Sequence, residues 1–86
     1  MKRTVYKYGI SRSGITRVEM PGEAYIIKAA IQKDNIFIWA LVDLEDTDKD
    51  YHDFVVLATG EEVDYRLDHI DTIQEGPYMW HVFEVY

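Results

Sequence analysis

The chain of 86 residues has no cysteine, only two prolines and only five glycines. Without cysteine, disulfides and thiolate metal sites are both excluded. Pro21 and Pro77 each adjoin a glycine, in Pro21-Gly22 and Gly76-Pro77, so they mark turns and cost no ladder hydrogen bond. No apolar run approaches the roughly 20 residues that a membrane-spanning helix needs. Lys2 and Arg3 are followed by Tyr6-Lys7-Tyr8, where a signal peptide would carry an apolar core of roughly 7–15 residues. The chain is therefore expected to be soluble and intracellular, with no membrane partner. Catalytic signatures are missing too. There is no Gly-x-Ser-x-Gly and no Gly-x-x-x-x-Gly-Lys, and Ser11 and Ser13 have no neighbouring histidine. An enzyme is not expected, and neither is a cofactor.

Bases are scarce after residue 33. The formal net charge is −7, which argues against general affinity for duplex DNA or RNA. Residues 1–33 nevertheless hold seven bases against two acids, whereas residues 34–86 hold two bases against fourteen acids. Such asymmetry directs attention to the N-terminal half as the place for an anionic partner. The alternative is that oppositely charged strands attract across a sheet or between subunits.

What is abundant is the vocabulary of β-strands. Alternating or β-branched and aromatic runs occur at 5–8, 15–20, 24–32, 36–43, 52–59, 69–75 and 78–86. Lys33-Asp34-Asn35 and Gly76-Pro77 separate neighbouring runs as hairpin turns would. The segment 61–68 alone has room for one short helical turn. One all-β domain over 1–86 is expected, with about seven short, mostly antiparallel strands in a meander, a sandwich or a curved sheet. Turns this short leave no length for parallel crossovers. Phe37, Trp39 and Leu41 share one face of their strand and Ile36, Ile38, Ala40 and Val42 the other, so that strand is expected to be central and covered on both sides. A domain this small buries only about 60–65% of its unfolded surface, and association is a common remedy. A homo-oligomer, dimer or tetramer, is expected.

The acidic stretch Asp43, Glu45, Asp46, Asp48, Asp50 and Asp53 has the opening of a calcium loop in Asp46-x-Asp48-x-Asp50. Counted from Asp46, the glycine required at the sixth position is Tyr51 and the glutamate required at the twelfth is Leu57, so both fail. The stretch reads as a solvated hairpin loop. His52, His69 and His81 lie on separate strands without metal-ligand spacing, and His81 reads as a satisfied core or interface histidine. No metal site is expected.

A binding constellation remains. Aromatics and bases interleave at Arg3, Tyr6, Lys7, Tyr8 and Arg12, and Trp39 and Trp80 add wide rings. Nucleobases stack on such rings, and phosphates pair with Arg, Lys or backbone N–H groups left free at turns. Ser11-Arg12-Ser13-Gly14 and Thr59-Gly60 offer such turns. The plainer alternative is that the rings are core, since sheets favour aromatics.

Lys7-Tyr8-Gly9-Ile10, Glu19-Met20-Pro21-Gly22-Glu23-Ala24, Ile38-Trp39-Ala40-Leu41-Val42-Asp43, Ala58-Thr59-Gly60 and His81-Val82-Phe83-Glu84 occur in that order. Together they resemble a family of short bacteriophage proteins, over nearly the whole chain. The chain further resembles phage counter-defence proteins of the nucleotide-sponge type, which act against the CBASS system. That resemblance implies a non-catalytic oligomer that sequesters cyclic di- or trinucleotide signals in the host bacterial cytoplasm. It fixes no pocket residue. From the residues themselves, Lys7, Arg12 and Arg17 are the candidates for phosphate. Tyr8 and Trp80 are the candidates for base stacking, and Ser11, Ser13 and Thr59 for phosphate oxygens or base edges. Two further readings stay open: an acidic inhibitor that docks on a host protein as a nucleic-acid mimic, and an accessory protein of the virion.

Overall fold

The structure, a computed structural model, describes residues 2–86. Seven strands account for about two-thirds of them: β1 (Arg3–Ile10), β2 (Ile15–Pro21), β3 (Tyr25–Gln32), β4 (Asn35–Asp43), β5 (Lys49–Ala58), β6 (Leu67–Glu75) and β7 (Tyr78–Val85). Every pairing is antiparallel. The strands form two sheets, one of three strands in the order β1-β4-β3 and one of four in the order β2-β5-β7-β6. Of the three architectures that the sequence allows, the chain adopts the sandwich.

Local chemistry explains the hairpins. Gln32 pairs with Asn35, leaving Lys33 and Asp34 as a two-residue turn with φ of 49° and 69°. Two successive positive φ values define the type I′ turn, whose twist matches that of paired strands. Between β6 and β7, Gly76 has φ 57° and Pro77 follows with φ fixed near about −65°, the sign pattern of a type II′ turn.

Packing follows the period of two. Ile36, Ile38, Ala40 and Val42 point inward from β4, where they meet Met20, Phe54, Val56 and Val82 from the other sheet. Phe54 is 1% exposed, and burying such a side chain contributes about 1.5–3 kcal/mol. β4 is the central strand of its sheet, as its pattern requires. Within the single chain no second layer covers its other face, and Phe37, Trp39 and Leu41 are half-buried there.

The two flanks of the sandwich differ. On one, β3 packs against β6, and the Ala29 N–H donates to Asp71 Oδ2 over 3.2 Å at a bulge between His69 and Asp71. On the other, β1 and β2 are the outermost strands of their sheets.

One sequence reading is corrected. The acidic segment 44–48 is not a hairpin loop, because β4 and β5 lie in different sheets. It crosses between the sheets at the end where β1 begins. Leu44 N–H donates to Lys2 O over 2.8 Å, and Gly22 N–H donates to Asp48 O over 2.9 Å. Asp43 and Asp46 each accept the backbone N–H two residues on, which shapes the crossing. In 61–68 no helical turn forms. Val63 and Tyr65 instead line one hollow with Val55 and Leu57, which face away from the core of the sandwich yet are 4% and 8% exposed.

Candidate functional site

Three residues chosen from the sequence converge. Arg12, Ser13 and Trp80 line one hollow of about 370 Å³, floored by Ile15, Val55 and Leu57. The Arg12 guanidinium stands 5.2 Å over the Trp80 ring. It is also held by the protein. Nη1 donates to Glu75 Oε1 over 2.9 Å, while Nη2 donates to Glu75 Oε2 over 3.1 Å and to Asp34 O over 2.8 Å. The Trp80 indole N–H donates to the same Glu75 Oε1 over 2.9 Å. These donors, Arg12 first, hold the Glu75 carboxyl below the usual carboxylate range. The fork that phosphate would want is already taken by a carboxylate.

Arg17 lies elsewhere and is likewise paired. Its Nε and Nη2 donate to the two carboxylate oxygens of Asp53 over 2.9 and 3.1 Å, and the guanidinium lies 5.6 Å over the Tyr51 ring. These hydrogen bonds lower the Asp53 pKa and raise that of Arg17. Tyr8 turns toward the core from β1, with its ring edge to Tyr6 at 6.4 Å. Burial first, and then Tyr6, pushes its phenol pKa up. In the loop, Ser11 N–H donates to Thr16 Oγ1 and Ser11 Oγ accepts Ser13 N–H.

Thr59 starts a chain of polar contacts on the outer face of the four-stranded sheet. Its Oγ1 meets His81 Nε2 at 2.9 Å, His81 Nδ1 meets Thr72 Oγ1 at 3.1 Å, and His69 Nε2 meets the same Thr72 oxygen at 2.9 Å. Both nitrogens of His81 are thus satisfied. Among the described residues, no three His, Asp or Glu side chains are grouped to hold a metal ion.

Lys7 leads to a different place, the outer face of the three-stranded sheet. There Lys7, Gln32, Lys33, Asn35 and Phe37 line a hollow of about 600 Å³. Lys7 Nζ lies 4.5 Å over the Phe37 ring and donates to Gln32 Oε1 over 3.1 Å. The register sets Lys7 opposite Trp39, whose ring centre is 6.3 Å from that of Phe37, and sets Lys28 opposite Trp39 from the other side. No carboxylate lines this hollow. Three ion pairs occur among the described residues, Arg12–Glu75, Arg17–Asp53 and His52–Glu84, and none of them engages a lysine. On a chain of net charge −7, this patch combines uncompensated cations, two aromatic rings and two side-chain amides.

Sequence reasoning found Lys7 here and missed Gln32, Lys33, Asn35 and Phe37. The available signal was the hairpin itself. Its register brings residue 32 beside residue 35, and alternation then places Phe37 on the face that holds Lys7 once β1 is known to pair with β4.

The chain belongs to the family described as a domain of unknown function, DUF7352, which matches it over residues 1–86. No curated protein and no solved structure matches it.

Proposed function

We propose that this member of the family is a non-catalytic binding protein that captures a cyclic di- or trinucleotide, and that as a phage product in the host bacterial cytoplasm it withholds the signal from a defence effector. The observation that carries this reading is the acid-free hollow of Lys7, Gln32, Lys33, Asn35 and Phe37. Each part answers one part of a nucleotide. The Phe37 ring, with Trp39 beside it, offers a stacking surface worth about 1–3 kcal/mol per base. Lys7 and Lys33 offer cations to phosphate. Gln32 and Asn35 offer both donors and acceptors, which base edges need. The resemblance to phage nucleotide sponges points the same way.

The test is a thermal-unfolding screen of the purified chain against 3′,3′-cyclic dinucleotides, cyclic trinucleotides and plain mononucleotides, with recovery of the compound afterwards. A ligand held only by the folded state adds about 2.7 kcal/mol at a hundredfold excess over Kd. For a domain of this size that raises Tm by roughly 10–20 °C. A shift with one cyclic compound, recovered intact, supports capture without turnover. A flat panel removes the reading.

One observation favours a second reading. Asp43, Glu45, Asp46, Asp48 and Asp50 gather with the paired Asp68 and Glu84 at the opposite end of the sandwich. An acidic end of this kind suits a basic host protein. It predicts salt-sensitive association with that protein and no response to nucleotides.

A further inference from the structure

β1 is an edge strand whose only protections against pairing are the charges of Arg3 and Lys7. It pairs with β4 from Arg3–Asp43 to Ile10–Ile36 in unbroken register, so its other edge is equally regular. It contains no proline and no bulge, and Val5 and Tyr6 are 47% and 42% exposed. A long, regular edge strand is a template for another strand.

We propose that β1 pairs with β1 of a second copy, antiparallel about a two-fold axis through Tyr6, to form a continuous six-stranded sheet in the order β3-β4-β1-β1-β4-β3. Given a second copy as the partner, two constraints select the register. A two-fold axis normal to the sheet must keep inward residues inward, so odd positions oppose odd ones and even positions oppose even ones. That leaves three registers near the centre of the strand. Centring on Val5 sets Arg3 opposite Lys7, and centring on Lys7 sets the two copies of Lys7 against each other. Like charges directly opposite are destabilising. Centring on Tyr6 avoids both: Tyr6 faces Tyr6, Val5 faces Lys7, Thr4 faces Tyr8 and Arg3 faces Gly9, with the strand aligned from Arg3 to Gly9. The pairing covers the exposed Val5 and Tyr6 and lays Val5 along the aliphatic stem of Lys7. It does not depend on the ligand reading.

The test uses sedimentation of the unmodified chain together with single thiols introduced into a chain that has none. The unmodified chain is expected to sediment as a dimer. Oxidised Tyr6→Cys should become a covalent dimer, because directly opposed residues lie about 4.5–5.5 Å apart between Cα atoms. Val5→Cys alone should not cross-link, since its own copy lies about 8 Å away, two residues along the strand. Val5→Cys mixed with Lys7→Cys should cross-link as a heterodimer, which reads the same register if Tyr6→Cys fails to fold. A monomer at the highest soluble concentration overturns the proposal. So does a dimer in which Val5→Cys or Lys7→Cys links to itself while the mixed pair does not.

Discussion

Trp80 and Arg12 share one oxygen of Glu75, each at 2.9 Å. Arg12 lies in the β1–β2 loop, Glu75 and Trp80 flank the β6–β7 turn, and Arg12 also reaches the Asp34 carbonyl in the β3–β4 turn. The cluster therefore ties three connections at one end of the sandwich. Arg12→Ala is expected to lower Tm by a few degrees and to shift Trp80 fluorescence, with nucleotide affinity unchanged. Thermal unfolding followed at the tryptophan, beside a binding titration, checks both halves.

The same cluster predicts an acid dependence. Glu75 is held below the usual carboxylate range by Arg12 and Trp80. Its contribution to stability is complete above the ordinary glutamate pKa of about 4.3 and is lost as pH falls through the lower folded value. Glu75→Gln should therefore sit below the unmodified chain in Tm at neutral pH, and the gap should narrow as pH falls below about 4. A gap that stays constant from neutral to acid pH would show that the carboxylate charge is not what matters.

On the closed flank, Asp71 accepts the N–H of Ala29, a residue only 2% exposed. Asp71→Ala leaves that donor without its partner. A buried unsatisfied donor costs about 1–3 kcal/mol, which lowers Tm by roughly 4–20 °C in a domain of this size. Asp71→Asn retains an acceptor oxygen and should recover much of the loss. Equal losses in the two variants would assign the effect to charge and not to the hydrogen bond. Urea titration of the three chains decides it.

Strand positions are legible in this sequence because each strand carries its own period. Ile36 to Val42 alternates with such regularity that its buried face can be named without a structure. Lys33-Asp34-Asn35 and Gly76-Pro77 announce their turns for equally local reasons. Pairing between distant strands is not local. Nothing near Asp43 distinguishes a chain that turns back beside itself from one that crosses to another sheet, so the acidic segment reads as a hairpin and is not one. The candidate site divides along the same line. Arg12 and Arg17 look free in sequence because Glu75 and Asp53 lie 63 and 36 residues away. Lys7 looks no better than they do until β1 pairs with β4 and sets it over Phe37.

That contrast among cations yields the sharpest test of the ligand reading. Lys7 has an aromatic ring beneath it and no carboxylate beside it, whereas Arg12 and Arg17 each carry a bidentate carboxylate. A phosphate approaching either arginine must displace that carboxylate, while one approaching Lys7 displaces only a neutral amide. Lys7→Met should therefore weaken binding of the cyclic nucleotide found in the screen by roughly tenfold or more, since a hydrogen bond to a charged group contributes about 1.5–3 kcal/mol. It should also flatten the dependence of affinity on salt, because one phosphate contact is lost. Phe37→Leu keeps the apolar volume but removes the ring, and should lose about 1–3 kcal/mol with the salt dependence intact. Arg12→Met and Arg17→Met should bind as the unmodified chain does. Calorimetric titration at two salt concentrations separates these outcomes. If the loss falls on Arg12→Met and spares Lys7→Met, the ligand lies over Trp80 in the hollow with Ser13, and the face that carries Phe37 is not its site.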